Sequence, residues 1–584
     1  MVRRVRLSAA LVAIATMVAG SAIAAAGTPT EVNGADGRFD RQFAGFAPPN
    51  TVLRPGSPAS VGLDPEPIAA ANAAIKRWTG PDPVTGRPLF AGAVSLLVHD
   101  GVVVDRSTTG LALRYADGAG RELPVEQQVP MRQDTIFDMA SVSKLFTSLA
   151  VMCLVEDGKV RVDEKVATYL PEFAVNGKES ITVEQLLTHT SGLEPFIPLW
   201  RDWPNKQARI KAVMDRAPKA PPGTKYTYSD LNLITLGVLV ERLGGLPLDQ
   251  FLAKRVTEPL NLVDTGYNPP ASKLDRIAAT EFQSAPPRGM VRGQVHDENA
   301  WSLGGVAGHA GVFSTADDLA VLAQTILNGG SYAGTRILAP ATVRTMLTNY
   351  NQEFPGNDHG LGFELNQRWY MGGLSGPRTA GHTGYTGTSL VIDPASRSIA
   401  ILLTNRVHPS RNWGSINIAR ETVASGLAKA MAVRPRHGGE AWYAGIGDAS
   451  TATLTTPVLT TGESARVTFD AFVDSEKTDP LVLEWSADGT TWQRVPVWAS
   501  GHGAPEGEQQ SLAGSGHRSW WTVNATVPES PTITLRWVSI TDSRYTGRGI
   551  YIDRMVVTVG DRTILNGEKE PHLIRPVGWL IKTR

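Results

Sequence analysis

The sequence predicts an α+β domain followed by an all-β sandwich. Three observations carry that reading. From about residue 50 to 433, apolar segments with a helical 3.6-residue period alternate with short strand-like runs. The strand-like runs gather at the two ends of this region, with the helices between them. After "VRPRHGGE" (433–440) the helical period stops and alternating, β-rich runs take over. Strands at both ends of a helical stretch imply one antiparallel sheet closed by the N- and C-terminal segments, with a helical part beside it.

The elements follow in order. Arg3, Arg4 and Arg6 precede an apolar run from Leu7 to Ala19, and residues 21–26 are small or apolar. This is the pattern of a secretory signal. Residues 1–26 are therefore set aside, cleavage is expected near Ala24–Ala26, and an extracellular product is expected. The apolar run is short for a membrane span, and no later stretch is long and apolar enough to be one. Residues 27–50 read as a flexible leader. "AGAVSLLVHDGVVVDRS" (91–107) reads as a hairpin turning at Asp100–Gly101, and "SLVIDPASRSIAILLTN" (389–405) as a second turning at Asp393–Pro394. Between them, "SVSKLFTSLAVMCLVEDG" is a helix from Ser141 ending on Gly158. "ITVEQLLTH" carries a Thr182…Gln185 capping box. "LNLITLGVLVERLGG" ends on Gly244–Gly245, "STADDLAVLAQTILNGG" opens with a Ser314…Asp317 cap signal, and a last helix runs near Ile416–Met431.

The organisation is thus a domain over 51–433, a linker at 434–440 and a β-sandwich over 441–584. In the sandwich, "ARVTFDAFV", "PLVLEWSADGTTWQRVPVW", "TITLRWVSI" and "GIYIDRMVVTV" alternate between turn signals. Eight of the fourteen Trp fall there, and Trp485 and Trp537 sit in the strand pattern itself, so they read as packing. The alternative is an exposed platform that contacts cell wall or glycan.

Formal net charge is +0, so no overall field recruits nucleic acid or an anionic membrane. Cys153 is the only cysteine. It lies on an apolar helical stripe with Leu149, Ala150 and Leu154 and reads as a small core residue.

Three stretches carry chemistry. In "FDMASVSKLFT" (137–147), Ser141 and Lys144 lie one helical turn apart on one face. The amine then approaches the hydroxyl, and the helix N-terminus and burial are expected to depress the lysine pKa, making it a better base. In "YTYSDLN" (226–232), Tyr228 stands in a loop before a helix, where a phenol can relay protons beside a cation; taken alone it reads as packing. In "GHTGYTGTSLVIDP" (381–394), His382–Thr383–Gly384 opens a strand, and Gly384 and Gly387 would let a substrate backbone approach its edge.

The three motifs in this order, with "LLTHTSGL" (186–193) and "LGGVAGHAGVFSTADDLA" (303–320), resemble the serine β-lactamase and penicillin-binding protein superfamily, in the branch of class C β-lactamases, DD-peptidases and esterases. The likeness covers about residues 60–430. It implies an antiparallel sheet with helices on both faces and a helical subdomain. It also implies Ser141 as acylated nucleophile, and Lys144 and Tyr228 sharing general-base and relay work. His382 would stand where lysine is usual and help bind a substrate carboxylate. The N–H groups of Ser141 and Tyr385 would form the oxyanion hole, and Asp230, Thr383 and Gly384 would meet the substrate. No metal or organic cofactor is implied.

Two departures stand out. Asp230 occupies a place where many members have Asn, and its charge could repel a carboxylate unless Lys144 pairs with it. His382 in place of Lys weakens the case for a dedicated β-lactamase. His189 reads as structural, holding a loop under the site. His296, Asp297, Glu298 and Asn299, with His309, fit no strong metal motif and read as a loop on the pocket rim. The expected activity is a secreted serine hydrolase acting on a peptide, β-lactam or small ester. The alternatives are a noncatalytic penicillin-binding sensor and a cell-wall-binding protein.

Overall fold

The computed structural model describes residues 37–583, so the expected signal segment lies outside the described residues. Strands β1 (Gly92–His99) and β2 (Val102–Leu113) form the first hairpin, with Asp100 and Gly101 both at positive φ as a tight primed turn requires. Strands β3 (Ala380–Gly384), β4 (Thr388–Asp393) and β5 (Ser398–Thr404) follow far later in the chain, after the helical region. The order is β2–β1–β5–β4–β3, extended by short strands to eight. The seam that closes the sheet pairs β1 with β5, from Ala93↔Thr404 to His99↔Ser398. One edge departs from the antiparallel expectation: Arg54–Pro55 pairs parallel with β2.

Helices α1 (Pro65–Arg77) and α5 (Asn417–Ala430) pack on one face of the sheet and α4 (Ala316–Leu327) on the other, while α2 (Ser143–Glu156) and α3 (Asp230–Gly244) pack on each other in the same core as α4. Alternation along β1 divides its side chains between two cores. Val94, Leu96 and Val98 pack with α2, α3 and α4, while Ala93 and Leu97 pack with α1 and α5. Covering both faces is why β1 reads as a near-continuous apolar run. Helix α2 runs through the first core, buried all round from Ser143 to Leu154. Its hydroxyls find partners there: Thr147 Oγ1 donates to the Gly308 carbonyl at 2.7 Å, and Ser143 Oγ accepts the Val312 N–H at 3.0 Å. Cys153 is buried in the same core.

Two local expectations shift by a residue or two. Ser141 is not in α2 but in the 3₁₀ turn Ala140–Val142 that leads into it. The cap of α4 is Thr315, whose hydroxyl accepts from Asp318 N, because Ser314 is committed to a strand ladder with Phe137. The Thr182–Gln185 capping box forms as read.

The second unit packs two antiparallel sheets. Its main strands are β6 (Ala441–Ala444), β7 (Thr451–Thr455), β8 (Ala465–Asp474), β9 (Leu481–Ser486), β10 (Trp520–Val527), β11 (Thr532–Ile540) and β12 (Gly549–Val559). One sheet runs β10–β8–β12–β6 and the other β9–β11–β7. Trp521 and Trp537 lie in the core between them, and Trp498 is the one largely exposed tryptophan among the described residues of this unit.

Residues 37–50, the described part of the leader, and the linker both make contacts with the rest of the structure. Phe39 is buried, its N–H donates to the Ala432 carbonyl at 2.7 Å, and its ring meets Phe472 of the sandwich. The linker is tied down by charge. Arg436 reaches Asp470 at 3.0 Å, its N–H donates to Asp553 Oδ2 at 2.6 Å, and His437 reaches Asp470 at 3.0 Å. A third core joins α1 and α5 to Phe472 and Tyr551 across the boundary.

Candidate active site

The turn that presents Ser141 is built on strain. Ala140 has φ +45°, a left-handed conformation that costs an L-residue on the order of 1–3 kcal/mol. It is held because Ala140 N donates to Asp138 Oδ1 at 2.8 Å, while Asp138 Oδ2 accepts from His296 N at 2.6 Å. The rim loop at 294–301 thus grips the turn from behind.

Lys144 Nζ lies 2.8 Å from Ser141 Oγ, donates to the His309 carbonyl at 3.1 Å, and pairs with Asp230 at 2.8 Å. The Tyr228 ring lies beside the amine, 4.8 Å from Lys144 Nζ to the ring centroid, and lines the same cleft as Ser141. Ser141, Lys144, Tyr228 and Asp230 therefore meet as one cluster, brought together by α2 and the N-terminus of α3. Asp230 is spent on Lys144, as the charge argument required.

The expectation of a depressed Lys144 pKa is overturned. Burial works to lower it, but the Asp230 carboxylate and Tyr228 outweigh burial and hold it above the ordinary lysine value. Burial raises the Tyr228 phenol to about 12 despite the opposing pull of Lys144. His189 lies under the tyrosine, 4.6 Å between ring centroids, and accepts from Ser229 N at 3.1 Å. Its structural reading agrees with this placement.

His382 is in the cleft, 6.1 Å from the Tyr228 ring, but it is not a cation. Burial first, then Lys144, lowers its pKa to about 3. Its Nδ1 faces the Thr383 carbonyl at 2.8 Å and so carries the proton, leaving Nε2 as an acceptor. The expected charge attraction for a substrate carboxylate is thereby removed. The ratio of kcat/KM for an acid substrate over a neutral ester should accordingly stay flat from about pH 5.5 to 8.5, since His382 has lost its proton well below that window. A ratio that falls through the window would mean that His382 is charged after all.

Gly384 is a site of close approach. A Cβ there would stand 2.3 Å from the Met139 carbonyl and 2.1 Å from Thr388 Oγ1. The side on which a Cβ would stand is filled by the protein's own turn, and Gly384 also lines the cleft. That approach brings Tyr385, the next residue, to the same cleft as Ser141. Thr386 Oγ1 donates to the Asp138 carbonyl at 2.7 Å and Thr388 Oγ1 to the Met139 carbonyl at 3.1 Å, so β3–β4 is fastened to the nucleophile turn.

The cleft has a volume of about 650 Å³ and is lined by Ser141, Tyr228, His382, Thr383, Gly384 and Tyr385, among others. Sequence reasoning missed four charged liners: Glu364, Arg406, Arg411 and Arg420. Arg420 reaches from α5 to the Gly384 carbonyl at 2.7 Å, and burial lowers its pKa to about 10. Arg406 lies 4.9 Å from the Tyr385 ring. No local motif marks these residues; an arginine on a helix and one after a strand look like ordinary surface. The structure also brings Asp230, Asp297 and His309 within 4.8 Å of one another, through ligand-type atoms that Lys144 and a His309–Asp297 contact at 2.9 Å already engage.

With this geometry in place, comparison with known proteins adds the following. The Beta-lactamase family matches residues 85–424, which ends before the sandwich. A protein of Escherichia coli (strain K12) named "Putative D-alanyl-D-alanine carboxypeptidase" is 34% identical over 393 residues, covering 61% of this chain and 86% of that protein. A Salmonella agona (strain SL483) protein of the same name is 32% identical over 403 residues, covering 63% of this chain and 89% of its own. A crystal structure of a novel penicillin-binding protein homologue from Caulobacter crescentus superposes with a TM-score of 0.49 at 25% identity, over 63% of this chain and 99% of that one.

Proposed function

The chain belongs to the β-lactamase family as a serine hydrolase, and from that footing we propose that it is exported and hydrolyses peptides of the D-alanyl-D-alanine type through an acyl-enzyme on Ser141. The observation that carries the reading is the 2.8 Å approach of Lys144 Nζ to Ser141 Oγ, with the Tyr228 ring 4.8 Å from the same amine, in an open cleft. Ser141 Oγ attacks the carbonyl while its proton passes to the Lys144–Tyr228 pair. The pair then gives a proton to the leaving amine, and water reverses the sequence to free the acid. Backbone N–H groups of Ser141 and Tyr385 are the proposed oxyanion donors. The names of the relatives support the peptide, and Arg406 and Arg420 supply positive charge for its carboxylate in place of His382.

A neutral His382 also favours a second reading, an esterase with no carboxylate requirement. One panel separates them: a D-Ala-D-Ala peptide, a penicillin, a cephalosporin and a short acyl ester. Preference for the peptide supports the first reading, and turnover of the ester alone replaces it with the second. Sequencing the N-terminus of the exported protein tests secretion, with a start near residue 27 expected.

With Lys144 held above its ordinary value and the Tyr228 phenol raised to about 12, both groups rest protonated at neutral pH, one proton too many for a base. Activity on a neutral ester should therefore rise with pH. The Asp230 carboxylate is what raises Lys144, so Asp230→Asn should move that rising limb to lower pH. An unmoved limb in this variant would mean that Asp230 does not set the base.

A further inference from the structure

The loops at one end of the sandwich hold a charge problem that the catalytic reading leaves untouched. Glu476 and Asp479 follow β8, and Asp542 follows β11. One carboxylate oxygen from each lies within 4.8 Å of the other two. Oxygens sharing one ion at about 2.3–2.6 Å span that distance.

Nothing among the described residues neutralises the set. None of the three carboxylates is in an ion pair. Arg368 acts on Glu476 and Asp479 only at a distance, without an ion pair; its Nη2 donates to Ser515 Oγ and its Nη1 is buried without a hydrogen-bond partner. Asp448 adds a further negative charge near Asp479. Asp479 is only 1% exposed. Its Oδ1 accepts from Asp542 N at 2.7 Å, and its Oδ2 is buried with no partner. Ser475 Oγ is likewise buried and unpartnered. A buried carboxylate oxygen without a partner, beside two other carboxylates, is costly unless a cation joins them.

We propose that Glu476, Asp479 and Asp542 bind a calcium ion. The donors are all hard oxygens, with no His or Cys among them, which points to an alkaline-earth ion rather than zinc. Irregular loops with several carboxylates suit the variable coordination of calcium better than the strict octahedron of magnesium. The ion would clamp the β8–β9 connection to the β11–β12 connection. The latter carries Arg548, which reaches the Ala428 and Met431 carbonyls of the catalytic unit.

The test is calorimetric titration of the EDTA-treated full chain with CaCl2, and separately with MgCl2, alongside thermal unfolding. One calcium per chain is expected, with magnesium at least about tenfold weaker and a melting temperature that rises with calcium. Asp479→Asn keeps an oxygen for the Asp542 N–H while removing the charge, and should weaken calcium at least about tenfold. Asp542→Asn alters an exposed group and should do the same, so it decides the matter if the buried variant fails to fold. No calcium binding by the wild type, or equal binding by both variants, overturns the proposal.

Discussion

Ser141→Ala is expected to lower turnover on the order of 10⁴-fold or more, leaving the folded spectrum intact. The reason is that no second nucleophile is poised. Ser143, two residues on, is buried with its hydroxyl accepting the Val312 N–H, and Cys153 lies in the core with burial pushing its thiol up to about 11. A fluorophosphonate or labelled β-lactam should modify Ser141 alone, as mapped by peptide mass. Lys144→Ala should cost about 10²–10⁴-fold, because it removes a proton acceptor and leaves Asp230 without its cation. Its effect should be smaller than that of losing Ser141, since Tyr228 and the backbone donors remain. A label on Ser143 or Cys153, or a Ser141→Ala enzyme that keeps even a hundredth of wild-type turnover, would sink the nucleophile assignment.

The catalytic cluster was legible because each of its members is announced locally. Ser141 and Lys144 lie one turn apart, and Tyr228 precedes the helix that delivers Asp230. What failed to read was charge. The state of a side chain depends on what surrounds it, and those neighbours come from distant segments. Lys144 was expected below its usual pKa because burial and the helix end were visible, whereas the strength of the Asp230 contact was not. His382 is kept neutral by enclosure among Lys144, His359 and Arg420, from three other parts of the chain. Gly384 was rightly read as a site of close approach, but the approaching group, Met139, is 245 positions away in sequence. The sheet was legible for the same reason as the cluster: two hairpins with clear turn residues mark its ends. The cap of α4 was not, because Ser314 looks like a better cap than Thr315 until its strand partner is known.

The same blindness to long-range pairing hid the docking of the two units, and a large expected effect follows from it. Arg518 of the sandwich is buried, 2.7 Å from Asp393 at the end of β4, which is fully enclosed. Arg518 also donates to the Leu374 carbonyl at 2.8 Å, and its guanidinium lies 4.3 Å from the Phe39 ring. Arg518→Ala would strand the Asp393 carboxylate in the interior. Thr379, Ser396 and the Ala395 N–H would still donate to it, but no cation would remain. Breaking one side of a buried pair costs about 3–5 kcal/mol. Denaturant unfolding of the full chain should register that loss, and it should do so in the catalytic unit as well as the sandwich, because the third core spans both. Replacing both partners, Arg518→Met with Asp393→Asn, should recover much of the stability, since no unpaired charge is left. The 434–440 segment, expected from its Pro and Gly to be cut readily, should instead resist limited proteolysis, for Arg436 and His437 hold it to Asp470. A fragment ending at 433 should aggregate through the face that Phe472 and Tyr551 cover. A soluble, active 27–433 fragment, or an Arg518→Ala protein whose stability is unchanged, would mean that the sandwich is an appended module and not part of the catalytic fold.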